Sequence, residues 1–245
     1  MENNFAQINQ SLLAYSSKID PRDLFPTMKS GATDFALNNP YAFCLATCLD
    51  RGSLADLIWT IPFWIHQDLG HLNPFRIQRM SIDELTALVD RLPKKPRYYN
   101  AAPRTIQEIT RIVVLQYGGK AACIWEDRKA ADVRRTFLSV FGVGEGIANM
   151  AVLLIEKAYQ IRFSDLDRLH MDIKPDVNTR RVLFRLGVAV SDADHEAISA
   201  ARSLNPTFPG ELDGALWMIG KHWCKASHPQ CSTCPVSPVC PKRMR

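Results

Sequence analysis

The chain has 245 residues, 47% of them hydrophobic and 22% charged, with a formal net charge of +5. That length gives one large domain or two small ones, and the composition is that of a globular chain rather than a disordered or fibrous one. No apolar run approaches the ~20 residues needed to cross a bilayer. The start, M-E-N-N-F-A-Q-I-N-Q, has neither the basic opening nor the apolar core of a secretory signal. The expectation is a cytoplasmic protein with no membrane partner, whose thiols stay reduced. The positive charge permits a nucleic-acid partner without requiring one.

Helical patterning runs through almost the whole chain. Residues 1 to about 20 read as helical and carry no chemistry-bearing group. In 39-NPYAFCLATCLDRG-52, Cys44 and Cys48 sit among apolar residues; with Cys123 they read as small buried hydrophobes. Residues 56–65, D-L-I-W-T-I-P-F-W-I, predict a buried helix interrupted or ended near Pro62, with a short buried strand as the alternative. The segment 81-SIDELTALVDRL-92 opens with a Ser cap and a Glu three residues on. A second amphipathic helix, 104-RTIQEITRIVVLQY-117, is closed by Gly118-Gly119.

Between a helix around 130–139 and the apolar run 147-IANMAVLLIEKAY-159 lies V-F-G-V-G-E-G. Two glycines flanking a valine describe a tight turn that aims backbone N–H groups outward at a helix N-terminus, ready for a phosphate. The blander reading is an ordinary helix C-cap. Downstream, 174-KPDVNTRRVLFRLG-187 starts a helix at Asp176, a favoured N-cap residue, with Val182, Leu183, Leu186 and Val188 as its apolar face. Lys174, Arg180, Arg181 and Arg185 fall close together, and Lys221, Lys225, Lys242, Arg243 and Arg245 surround the last segment. These are either solvated basic faces or the footprint of a phosphate backbone.

That last segment, W-C-K-A-S-H-P-Q-C-S-T-C-P-V-S-P-V-C-P, holds Cys224, Cys231, Cys234 and Cys240 in the spacing C-x6-C-x2-C-x5-C. Four thiolates suit zinc or a [4Fe–4S] cluster. A zinc ribbon wants two C-x2-C pairs and only one is present, while two disulfides would need an oxidising compartment.

The cysteine spacing, with the preceding A-L-W-M-I-G-K-H-W, resembles the iron–sulfur loop of the endonuclease III family of DNA glycosylases. The glycine turn resembles that family's helix-hairpin-helix, L-P-G-V-G-x-x-x-A: Gly142, Val143, Gly144 and Ala148 match, Asn149 fits, and Phe141 stands where proline is common. The resemblance implies an all-α, two-lobed helix-hairpin-helix glycosylase fold with a C-terminal iron–sulfur cluster loop. One lobe would join residues 1–35 and 188–245. The other would be a helical barrel over 36–187, with the hairpin at about 131–160 and DNA in the cleft between the lobes. It implies a [4Fe–4S] cluster on the four cysteines, DNA contacts from Gly142, Gly144, Gly146, Arg180, Arg181 and Lys225, and Asp176 as the catalytic carboxylate. Asp176 begins the family's D-x-x-x-x-R-V, completed by Arg181 and Val182; Asp172 is the competing candidate. The resemblance places the family's DNA-inserting residue near Arg51 or Ser53.

One departure matters. Bifunctional members carry a nucleophilic lysine where this chain has Gly146, and Lys157 lies about three turns further along the helix. The expectation is a monofunctional glycosylase, acting as a monomer on double-stranded DNA with a damaged, mismatched or modified base. It would flip the base out and hydrolyse its N-glycosidic bond, leaving an abasic site. The alternatives are a catalytically inactive iron–sulfur DNA-binding protein, a zinc-based structural module, and a bifunctional enzyme using a non-standard lysine. The stretch I-R-F-S-D-L-D-R-L-H-M-D before Asp176 reads as a surface elaboration, with a role at the base pocket as the other option. The identity of the base is not legible.

Overall fold

The computed structural model describes residues 2–243; Arg245, named above among the basic residues, lies outside them. Among the described residues the chain forms α-helices and short 3₁₀ turns, with no strand, in keeping with the all-α expectation. No helix is long and apolar enough to cross a membrane. In chain order the helices are α1 (Glu2–Ser16), α2 (Ala32–Asn38), α3 (Pro40–Leu49), α4 (Ala55–Leu69), α5 (Pro74–Gln78) and α6 (Ile82–Asp90). They continue with α7 (Ala102–Tyr117), α8 (Ala130–Leu138), α9 (Glu145–Ala158), α10 (Val177–Arg185), α11 (Asp194–Leu204) and α12 (Asp213–His222).

The chain divides into two compact units, Pro21–Asp165 and Met1–Asp20 with Leu166–Arg245. These boundaries differ from the 35/36 and 187/188 divisions expected from sequence, and the packing explains why. Helix α2 packs on α3 and α4, so the segment from Pro21 belongs with them, and α10 packs on α11 and α12 rather than staying with the hairpin.

In the unit Pro21–Asp165, local chemistry sets the helix starts. Asn39 accepts the N–H groups of Tyr41 and Ala42 to begin α3, and Pro40 follows as the first helical residue. Ser81 and Glu84 make both bonds of a capping box at α6. Gly118 and Gly119 end α7 at positive φ, with the Gly119 N–H donating to the Val113 carbonyl. Helix α4 departs from expectation: it runs through Pro62 to Gly70 without a break. Proline removes one intrahelical bond there, and burial of Ile58, Trp59, Ile61, Trp64 and Ile65 holds the helix together regardless.

The core of this unit is aromatic. Phe43, fully buried, lies 6.0 Å from Phe25, 5.6 Å from Trp59, 5.7 Å from Trp125 and 5.6 Å from Tyr159 between ring centroids. Cys44 and Cys48 are buried beside it as expected, and burial pushes both thiols well up from their ordinary value. Cys123 is half-exposed instead, because it falls in the 3₁₀ turn Ala121–Ile124 rather than on a packed helix face.

The second unit packs α1, α10, α11 and α12 around Ile8, Leu12, Leu183, Ala201, Leu216 and Ile219. Val182 and Leu183 of α10 and its C-cap Leu186 point into this core, and Val188 is partly buried against it. Removing the largest shared contact of the first unit, by Phe43→Ala, is expected to cost about 3–5 kcal/mol. Urea unfolding followed by far-ultraviolet circular dichroism measures it; a loss no larger than for a surface alanine would contradict the aromatic hub.

Candidate functional site

The glycine turn is a true hairpin. Helices α8 and α9 pack together across residues 139–144, and Gly142 adopts φ +82°. Gly144 is the N-cap of α9 in an extended conformation, and no side chain caps the helix, so its first N–H groups stay open to an anion. Gly146 is the second residue of α9 and offers no amine; Lys157 lies roughly 16 Å further along the same helix. Asn149 is buried and accepts from Arg134 Nε at 2.8 Å, while Arg134 also pairs with Glu145. These bonds tie α8 to the first turns of α9.

Phe141, in the usual place of proline, is stitched down by other means. Its N–H donates to Glu108 Oε2 at 2.6 Å, and its carbonyl accepts from Thr105 Oγ1 at 3.0 Å. Arg51 donates to Thr105 at 2.6 Å and rests against Gly142, where an added β-carbon would stand 1.2 Å from its Nη1. Burial pulls the Arg51 guanidinium below its ordinary pKa, with Cys48 and Tyr98 opposing. Arg51 therefore braces the turn, and Ser53 accepts from the Arg97 N–H at 2.7 Å.

Beside this turn stands a surface that the sequence reading passed over. Tyr98, Tyr99 and Phe141 are exposed, and cations lie over each ring: Arg97 and Arg51 near Tyr98 (5.7 and 5.9 Å), Lys95 over Tyr99 (5.1 Å), and Arg104 over Phe141 (4.0 Å). The signal that would have found it is 94-KKPRYY-99, a run of cations interleaved with aromatics.

In the other unit, Asp176 is the N-cap of α10, and its Oδ1 accepts from the N–H groups of Asn178 (2.7 Å) and Thr179 (2.9 Å). Among the described residues its Oδ2 makes no hydrogen bond. Asp172 is spent differently: both oxygens take the Arg202 guanidinium, at 2.8 and 2.7 Å. Arg180 and Arg181, expected on phosphates, are committed inside the unit. Arg180 pairs with Asp194 at 2.7 Å. Arg181 donates to the carbonyls of Cys224 (2.5 Å), Val177 (2.9 Å) and Gly220 (2.9 Å) and to Asn178 Oδ1 (2.7 Å). For Arg181 the cause is simple: carbonyls at the end of α12 lack helical partners, and a half-buried fork of donors satisfies them. Lys225 remains exposed.

The four cysteines line one cavity of about 400 Å³, its open mouth included, together with Arg185, Trp223 and Lys242. Arg185 is the hub of this loop. It donates to Cys224 Sγ at 3.5 Å and to the carbonyls of Lys225 (2.7 Å) and Ala226 (3.0 Å), while its own carbonyl accepts from the Arg243 N–H at 3.1 Å. Burial raises the Cys234 and Cys240 thiols, with the neighbouring sulfurs adding to the effect. Among the described residues no group of three or more His, Cys, Asp or Glu is arranged to hold a metal ion directly. The donor set nevertheless fits a thiolate-bound group, since four sulfurs share one cavity.

No family model and no curated protein matches the chain. Solved structures do. A trapped endonuclease III–DNA covalent intermediate (estranged-adenine complex) has 21% identity and a TM-score of 0.59, covering 83% of this chain and 84% of that one. A non-covalent endonuclease III–DNA complex has 20% identity, the same TM-score of 0.59 and the same coverage of 83% and 84%. A thermostable thymine-DNA glycosylase has 17% identity and a TM-score of 0.61 over 98% of this chain and 97% of that one. The chain thus has the helix-hairpin-helix fold of the endonuclease III-like glycosylases.

A Gly142→Ala change tests the brace at the turn. Positive φ costs alanine about 1–2 kcal/mol, and the new methyl group must displace Arg51. Chemical denaturation is expected to show a loss at or above that range; a neutral substitution would contradict the geometry.

Proposed function

We propose that this chain is a monofunctional DNA glycosylase: it extrudes a damaged, mismatched or modified base from double-stranded DNA and hydrolyses the N-glycosidic bond with Asp176. The carrying observation is the contrast between two carboxylates. Asp172 is fully paired with Arg202, whereas Asp176 is anchored by one oxygen and keeps the other unbonded. Two N–H donors at a helix N-terminus hold the carboxylate in one place. Departure of the base leaves positive charge on the deoxyribose, which a fixed anion stabilises, and the same oxygen can orient or deprotonate the attacking water. The fold, shared with structures of DNA glycosylases and their DNA complexes, supports the reading.

Grip on DNA would come from both units. The open N-terminus of α9, with Gly144 clear of neighbours and Gly142 and Gly146 on either side of it, suits a phosphate. The exposed Tyr98, Tyr99 and Phe141 with their cations suit the bases and backbone of a nucleic acid. Lys225 adds charge beside the cysteine loop. With glycine at position 146, no amine stands ready there to form a Schiff base, so water completes the reaction and the strand stays intact.

Cys224, Cys231, Cys234 and Cys240 would hold a [4Fe–4S] cluster; the C-x6-C-x2-C-x5-C spacing favours it over zinc. When bound it supplies cross-linking and local charge, since glycosidic hydrolysis needs no electron transfer. Arg185 and Arg181 fasten the loop to α10 on the protein side.

A panel of duplexes, each with one lesion and treated with alkali after reaction, identifies the substrate. On the duplex processed, Asp176→Asn is expected to abolish base release while leaving DNA affinity intact, and Asp172→Asn to retain activity. Unchanged activity in Asp176→Asn would refute the assignment. Borohydride treatment is expected to trap no covalent complex; efficient, lysine-dependent trapping would make the enzyme bifunctional. Anaerobically purified protein is expected to be brown with iron and sulfide, and a colourless protein with stoichiometric zinc would overturn the cluster.

A further inference from the structure

Gly220 lies in the last turn of α12, buried, with no positive φ to demand a glycine. Helix propensity alone would favour alanine there. What the position does lack is room. A β-carbon on Gly220 would stand 2.5 Å from Asn178 Cβ, 2.9 Å from Asn178 Cα and 3.0 Å from the Asn178 carbonyl carbon. Two of those atoms are backbone and cannot rotate aside. The first turn of α10 therefore lies directly against the α12 backbone at this one residue.

That turn is the one that holds Asp176. The Asn178 N–H donates to Asp176 Oδ1 at 2.7 Å, so any shift of Asn178 carries the carboxylate with it. Arg181 draws the same turn toward α12, bonding Asn178 Oδ1 at 2.7 Å and the Gly220 carbonyl at 2.9 Å. We propose that Gly220 is a positioning residue for Asp176, the bare backbone against which the first turn of α10 is clamped by Arg181. The inference rests on Asp176 being the catalytic anion, and it goes beyond that reading by naming what sets the place of the carboxylate.

The test compares Gly220→Ala with wild type and with Ala200→Gly, a control that weakens the interior of α11. Three quantities are read: thermal midpoint, hydrogen exchange of the Asn178 and Thr179 amides, and single-turnover base release beside affinity for a duplex with a tetrahydrofuran abasic analogue. Gly220→Ala is expected to speed exchange at those two amides and to slow base release on the order of 10²-fold, as misplacement of about 1 Å does. Affinity and visible spectrum should stay unchanged. Ala200→Gly should lower the midpoint without either effect. Should Gly220→Ala not fold, Arg181→Lys loosens the same turn without a clash and is expected to give the same pattern. Wild-type exchange and rate in the variants would overturn the proposal, as would an equal loss in Ala200→Gly. If Asp176→Asn retains base release, the catalytic reading fails instead, and amide exchange alone then decides whether Gly220 seats the turn.

Discussion

Asp176 Oδ1 accepts two backbone N–H groups, and those two bonds fix both where α10 begins and where the carboxylate stands. A carboxylate used as a cap is a common structural device. Here it coincides with an oxygen left unbonded and with a helix that is tied to its neighbour by more than side-chain packing. Arg181 reaches from the second turn of α10 to carbonyls of Gly220 and Cys224, and Arg185 from the third to carbonyls of Lys225 and Ala226. The cysteine loop and the capped turn thus share one scaffold: two guanidiniums on one helix.

This arrangement ties the cysteine loop to α10 through backbone carbonyls. Unligated, the Cys234 and Cys240 thiols are held toward protonation by burial, and a thiolate-binding group would have to displace those protons. What such a group returns is a loop of fixed shape at the end of α12. The hairpin unit is built on another principle. Its turn is held by a relay from Arg51 through Thr105 to the Phe141 carbonyl, with Glu108 on the Phe141 N–H. Phenylalanine replaces the stiffness of proline with hydrogen bonds, and leaves an aromatic ring facing solvent beside Arg104.

Signals carried by a few adjacent residues were legible in the sequence. The Ser81–Glu84 box, the double glycine after α7, the G-V-G turn and the four-cysteine spacing each follow from local backbone or ligand chemistry. Signals that depend on a distant partner were not. Arg180 and Arg181 look like free surface charge in one dimension, but Arg180 pairs with Asp194 and Arg181 reaches the α12 carbonyls. Pro62 reads as a breaker, and only the burial of both flanks of α4 carries the helix past it. The unit boundaries slipped for the same reason, since the partners of α2 and α10 are decided by packing. Tyr98 and Tyr99 were overlooked although their basic, aromatic run was in plain view.

The most direct measurement is a crystal structure of the protein on a duplex carrying a cationic pyrrolidine in place of the reacting sugar. The ring nitrogen is expected within hydrogen-bond distance of Asp176 Oδ2, with Oδ1 still on the Asn178 and Thr179 N–H groups. A ring nitrogen seated against any other acidic group, with Asp176 turned away, would contradict it.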